Sequence, residues 1–128
     1  MLSNSEVHAN VPASDLKRAR AFYVDMLGLK PSAEDQYTVT FPTPSGSWFQ
    51  IYETSFAGTG KHTIASWDVA DLDGVVRELT ERGLTFEHYD MPGLEWNGDI
   101  ASIPGIGRMA WFSDSEGNIM SLDERANT

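Results

Sequence analysis

The stretch Val7–Leu29, VHANVPASDLKRARAFYVDMLGL, constrains this chain most, because a weaker version of it returns at residues 63–84. Val7, Ala9 and Val11 alternate with His8 and Asn10, the period of a strand with one buried face. The alternation predicts a strand over Glu6–Pro12. Ser14 or Asp15 then offers an oxygen to the free amide hydrogens that open a helix. Leu16, Ala19, Phe22 or Tyr23, and Met26 recur at steps of three and four, an apolar stripe of helical period. Gly28 stops that helix. In the second version Thr63–Val69 reads as the strand, Asp71 as the cap, Leu72, Val75 or Val76, and Leu79 as the stripe, and Gly83 as the stop.

Further strands follow each helix. Gln36–Phe41 and Ser47–Glu53 alternate around a turn marked by Pro42, Pro44 and Gly46. Thr85–Tyr89, Met109–Phe112 and Ile119–Leu122 do the same in the second half, the last two flanking Asp114-Ser115-Glu116-Gly117-Asn118. Phe41 with Gly46 corresponds to Phe112 with Gly117, so the two halves match from end to end. The second is longer by most of residues 90–107, DMPGLEWNGDIASIPGIG, a stretch whose prolines and glycines predict a loop. The repeat predicts an α+β chain of two tandem βαβββ modules, about 6–54 and 62–124, joined by a linker at 55–61 within one domain spanning 1–128.

Composition narrows the partners. The formal net charge is −10, which opposes phosphate binding and so excludes nucleic acid as an expected partner. The chain has no cysteine, hence no disulfide, thiolate nucleophile or zinc–thiolate site, in keeping with a reducing cytoplasm. No apolar run reaches the ~20 residues that span a bilayer, and MLSNSEVHAN lacks the basic and apolar order of a signal peptide. A cytoplasmic protein without membrane or nucleic-acid partners is expected.

The helix segment D-L…FY…LGL and the hairpin AWFSDSEGNIMSLDE together resemble the vicinal oxygen chelate superfamily, which includes glyoxalases, bleomycin-resistance proteins and extradiol dioxygenases. The resemblance covers nearly the whole chain. It implies that the two modules form an incomplete barrel around a pocket, often in a homodimer. It also implies four metal-ligand positions, one on the first and one on the last strand of each module. In this chain they are occupied by His8, Gln50, Ile64 and Ser121. The family pattern calls for a histidine or glutamine at the third and an acid at the fourth, and Gln50 stands where an acid is usual. One imidazole, one amide, one hydroxyl and one alkyl group make a poor set for a divalent catalytic ion. The expectation is that the standard metal site is lost and that no cofactor is held. A divalent ion at His8, with His62 and Asp68 or Asp123 as a rearranged set, is the alternative.

Alternation along the ligand-bearing strands then gives the expected pocket lining: His8, Asn10, Trp48, Gln50, Tyr52, Ile64, Ser66, Asp68, Ile119, Ser121 and Asp123. Trp96, in the middle of the long loop, is a further candidate ligand-binding residue, in a loop that either closes over the pocket as a lid or folds over a sheet edge. Trp67 and Phe49 have the opposite parity and should face the helices. An aromatic and polar lining suits a small organic ligand, aromatic or cationic, held by stacking and a few hydrogen bonds. A binding protein of the bleomycin-resistance type is the expected function. The alternative is a lyase or dioxygenase-like enzyme, metal-independent or with a rearranged site, in which His8 is the general acid or base.

Overall fold

The structure is a computed structural model that describes residues 1–126. Contacts divide the chain into two compact units. One holds Met1–Gly60 with the turn Asp114–Asn118; the other holds Lys61–Ser113 and the residues from Ile119 on.

In the first unit the strands are β1 (Ala9–Ala13), β2 (Ala33–Glu34), β3 (Thr38–Pro42) and β4 (Trp48–Glu53), in the order β1-β4-β3-β2. The pairing of β1 with β4 is parallel and the others are antiparallel. Helix α1 (Leu16–Ala21) runs into a π-helical turn, Phe22–Met26. Asp15 is its cap, accepting from the Arg18 amide at 3.0 Å. Val11, Val39 and Ile51 lie in register on one face of the sheet and are buried, together with Ala19, Tyr23 and Phe41. Burying each large side chain contributes roughly 1.5–3 kcal/mol. The Phe49 ring lies 6.3 Å from Tyr23 of the helix, as its parity predicts.

The turn Asp114–Asn118 anchors this unit. The Tyr23 hydroxyl donates to Asp114 at 2.6 Å, and Asn118 Nδ2 donates to the same carboxylate at 2.9 Å and to the Pro12 carbonyl at 2.7 Å. Glu116 accepts from the Asp15 amide at 2.9 Å, from Arg18 Nε at 2.8 Å and from Arg18 Nη2 at 3.0 Å. Its side chain is wholly removed from water.

In the second unit the strands are β5 (Thr63–Asp68), β6 (Phe86–Glu87), β7 (Glu95–Asn97), β8 (Ile100–Ile103), β9 (Gly107–Ser113) and β10 (Ile119–Arg125). Their order is β5-β10-β9-β8-β7, with β6 also on β9. Again the first and last strands, β5 and β10, pair in parallel. Helix α2 (Leu72–Glu81) is capped by Asp71 and buries Leu72, Val76 and Leu79. Gly83, at φ +101°, ends it: the Gly83 amide donates to the Thr80 carbonyl and the Leu84 amide to the Leu79 carbonyl, both at 3.0 Å. That pair of bonds is the Schellman arrangement, which needs a residue in the left-handed region. Arg108 on β9 ties the start of α2 to the sheet, donating to Asp73 at 2.8 Å and to Glu124 at 2.8 Å, while Glu124 accepts from the Leu72 amide at 2.9 Å.

The α+β class and the strand–helix–strands order of each half follow the expectation, and neither sheet closes on itself. Strand ends shift by a few residues throughout, and three differences bear on the site. The first strand begins at Ala9, so His8 sits just ahead of it. A two-residue strand, Ala33–Glu34, lies in the stretch after the first helix that carries no alternation signal. Residues 90–107 are not simply a loop: Glu95–Asn97 and Ile100–Ile103 form a hairpin. Gly98, at φ +61°, and Asp99 make its two-residue connection, the glycine-first pattern of a type II′ turn.

Candidate functional site

In the first unit the face opposite the core carries five of the expected residues. His8 stacks on Trp48, ring centroids 3.4 Å apart and planes 16° from parallel. Its Nδ1 lies 3.2 Å from the Trp48 carbonyl oxygen, and since a carbonyl only accepts, Nδ1 carries the hydrogen. Asn10 and Gln50 are register partners, and Gln50 Nε2 donates to Asn10 Oδ1 at 2.7 Å. Tyr52, the partner of Pro12, is exposed at the far end of the same face.

In the second unit Ser121 of β10 lies between Ser66 of β5 and Trp111 of β9. The Ser66 and Ser121 hydroxyl oxygens are 2.6 Å apart, and Ser121 donates to Asp123 at 3.0 Å. Ser121 is buried and Ser66 exposed. Registers extend this face through Met109 to Ala101 and on to Trp96. Trp96 therefore belongs to a sheet strand, not to a free lid. Its ring is 6.0 Å from Trp111 and stacks on His88 at 4.3 Å, and His88 Nε2 is 2.8 Å from Asp99. Trp67 pairs with Leu122, on the opposite side, 6.2 Å from Phe112.

A cavity of about 450 Å³ opens on this second face, walled by Tyr89, Met91, Trp111 and Ile119, with Lys61, His62, Thr63 and Asp90 as its polar and charged members. Tyr89 meets Trp111 edge-on at 5.6 Å. The Trp111 indole donates to Thr63 Oγ1 at 3.2 Å, which satisfies its buried N–H. Glu87, the register partner of Trp111, accepts from Ser113 at 2.5 Å and from the Tyr89 hydroxyl. Burial first, then this bond and the charge of Glu87, push the Tyr89 phenol up to about 12. Trp111, Tyr89 and Met91 are absent from the expected lining. The turn Asp114–Asn118 held the missing signal: once Ser113 and Ile119 close it, counting back places Trp111 opposite Ser121.

The four metal-ligand positions do not fit a divalent ion. Ile64 has no donor. Gln50 and Ser121 offer only a neutral amide oxygen and a neutral hydroxyl, and His8 is the one imidazole of the set. Of the rearranged set, His62 and Asp68 are exposed, Asp68 lies 3.8 Å from Arg125, and Asp123 accepts from Ser121 at 3.0 Å. Among the described residues no group of three or more His, Cys, Asp or Glu side chains gathers to hold a metal.

Comparison with solved structures places this architecture among known folds. The antibiotic-binding protein TnmS3 from Streptomyces sp. CB03234 is 22% identical, with a TM-score of 0.72 over 98% of this chain and 100% of that one. The fosfomycin resistance protein FosX from Listeria monocytogenes is 15% identical, with a TM-score of 0.69 over 96% and 94%. Lactoylglutathione lyase from Agrobacterium tumefaciens is 17% identical, with a TM-score of 0.70 over 94% and 93%. At these identities the likeness is one of fold. No curated protein matches the sequence. The model of the glyoxalase/bleomycin resistance protein/dioxygenase superfamily matches residues 7–122, and with that span the chain belongs to this superfamily.

Proposed function

We propose that this protein binds a small organic molecule, aromatic or cationic, and holds it without a metal of the superfamily's standard kind. The observation that carries this is the cavity walled by Tyr89, Met91 and Trp111 beside Ser121, a neutral hydroxyl at the position where the family pattern calls for a metal-binding acid. Aromatic walls with a few convergent polar groups suit an organic ligand. His8, Asn10, Trp48, Gln50 and Tyr52 on the first unit, and Ser66, Trp96 and Ser121 on the second, are proposed as ligand-contacting residues. An antibiotic-binding protein and a fosfomycin resistance protein share the fold, which supports a small-molecule reading.

Mass spectrometry of the protein as purified, native and then denatured, tests this together with elemental analysis. A retained organic molecule, or a thermal shift with aromatic amines that Trp111→Ala abolishes, is the expected result. Stoichiometric divalent metal lost on His8→Ala would refute the metal-free part.

A second reading has its own observation. With Nδ1–H held by the Trp48 carbonyl, neutral His8 presents a lone pair on Nε2, the arrangement of a general base. Turnover lost in His8→Ala with ligand binding retained would establish an enzyme. The protein is further proposed to be cytoplasmic and a homodimer, which light scattering in solution tests. Exposed Leu2, Val7 and Phe56 supply apolar surface for such an interface. Among the described residues no helix is long and apolar enough to cross a membrane.

A further inference from the structure

The hydroxyl chain beside the cavity has a fixed direction. Asp123 accepts from Ser121 at 3.0 Å, and a serine hydroxyl has a single hydrogen to give. Ser121 has therefore spent its hydrogen, and the 2.6 Å contact between the two serines requires Ser66 to donate inward to Ser121. Ser66 has then spent its own hydrogen as well. What this exposed hydroxyl presents outward is lone pairs only. Serine usually reads donors and acceptors alike, but here a carboxylate two steps away has removed the choice.

The surroundings reinforce the direction. Asp68 is the register partner of Asp123, so a second carboxylate lies along the same edge, met by Arg125 only at 3.8 Å. Trp111, Ser121 and Ser66 are in line across β9, β10 and β5. The Trp111 indole reaches Thr63 Oγ1 on β5 at 3.2 Å, and Ser66 stands three residues further along that strand, roughly 10 Å at ~3.3 Å per residue. Ile119, a wall of the cavity, precedes Ser121 by two residues on the same face of β10.

We propose that the Asp123–Ser121–Ser66 chain is an acceptor of fixed polarity that selects ligands carrying an N–H donor, namely primary or secondary ammonium groups brought to Ser66 by a ligand whose aromatic ring rests on Trp111. This rests on reading the Trp111 cavity as the ligand site. Ser66 contacts the donor, and Ser121 and Asp123 are positioning residues that set the direction of the hydrogens.

The test is an NMR titration of the nitrogen-15-labelled full chain with three probes: phenylpropylamine, its N,N,N-trimethylammonium derivative, and phenylpropionate. The first two carry the same charge but only the first donates, so their ratio separates hydrogen bonding from the pull of an acidic protein. The primary amine is expected to bind about tenfold tighter than the trimethyl derivative, the worth of one charge-assisted hydrogen bond. Ser66→Ala, which leaves the net charge unchanged, should bring that ratio below about twofold, and Ser66→Thr, which keeps the hydroxyl, should restore it. The amide spectrum of each variant reports that it is folded. Equal binding of the two cations, or a preference that survives Ser66→Ala, overturns the chain's role while leaving the cavity as the ligand site. If none of the three shifts the Trp111 indole resonance, the cavity reading fails and the selectivity proposal falls with it.

Discussion

The Glu116 carboxylate gives the most quantitative handle on this structure. It sits in the turn Asp114–Asn118 with its side chain wholly buried and accepts from Arg18, the Asp15 amide and the Ser14 hydroxyl. Burial pushes its pKa up. The Arg18 hydrogen bonds, the Asp15 amide, the Ser115 hydroxyl and the Arg18 charge outweigh that and hold it at about 2, against an ordinary 4.5. Each tenfold change in proton affinity is worth about 1.4 kcal/mol, so the gap between the two values sets a ceiling of about 3 kcal/mol. Arg18 is 54% exposed, so water screens part of the pairing. In Glu116→Gln the amide oxygen still accepts one of the bonds. We therefore expect that substitution to cost about 2 kcal/mol at pH 7. The folded pKa is depressed, so the contribution is complete above the unfolded value of 4.5 and vanishes as pH falls through about 2. Urea titrations followed by tryptophan fluorescence, at steps from pH 7 down to pH 2.5, should show wild type and variant converging. A gap that stays constant across that range would refute the electrostatic account and make the loss one of shape. A gap below about 0.5 kcal/mol at pH 7 would refute the magnitude, since that is the scatter of ordinary surface changes.

Four further outcomes follow from the structure. Tyr23→Phe removes one donor from the buried Asp114 carboxylate, which keeps Asn118 Nδ2 and two backbone amides, and should cost about 1–2 kcal/mol in urea unfolding. Burial, then the charge of Asp114 and the bond to it, raise the Tyr23 phenol far above its ordinary range, so a spectrophotometric titration of the native protein should leave one of the four tyrosines un-ionised until unfolding. Arg108→Ala should weaken the protein by about 1 kcal/mol, and the difference from wild type should shrink in molar salt because the Asp73 and Glu124 contacts are open to water. Gly83→Ala forces a side chain into the left-handed region at φ +101°, where nothing else crowds it, and should lower stability by about 1 kcal/mol through backbone strain alone.

What was legible in the sequence is what is local. Asp15 and Asp71 cap their helices, and Gly28 and Gly83 end them, because the chemistry of a helix terminus is decided within a few residues. The β7–β8 hairpin was not legible: a three-residue strand has too short an alternation to register, although Gly98-Asp99 between Trp96 and Ile100 is a recognisable turn. Trp111 escaped for a different reason. Its face depends on the register set by the Asp114–Asn118 turn, so parity within its own strand could not place it. The Glu116–Arg18 pair, separated by 98 positions, leaves no trace in either local pattern. The hydroxyl chain at Ser66 is similar. Its two serines carry no motif, and only the parallel pairing of β5 with β10 sets them side by side.

The bond from Tyr23 to Asp114 also bears on how the protein is made. Its ends are 91 positions apart, so the chain must leave the ribosome through Asp114 before the first unit is complete. Until then the nascent N-terminal half carries a phenol destined for the interior without its acceptor, and an arginine without its acid. The helix can form and β1 can find β4, but the last anchor arrives with the turn Asp114–Asn118. A gene split after Gly60 would therefore leave the first fragment without the turn that completes its unit, and it would regain its native packing only when the second fragment brought Asp114–Asn118 back to it.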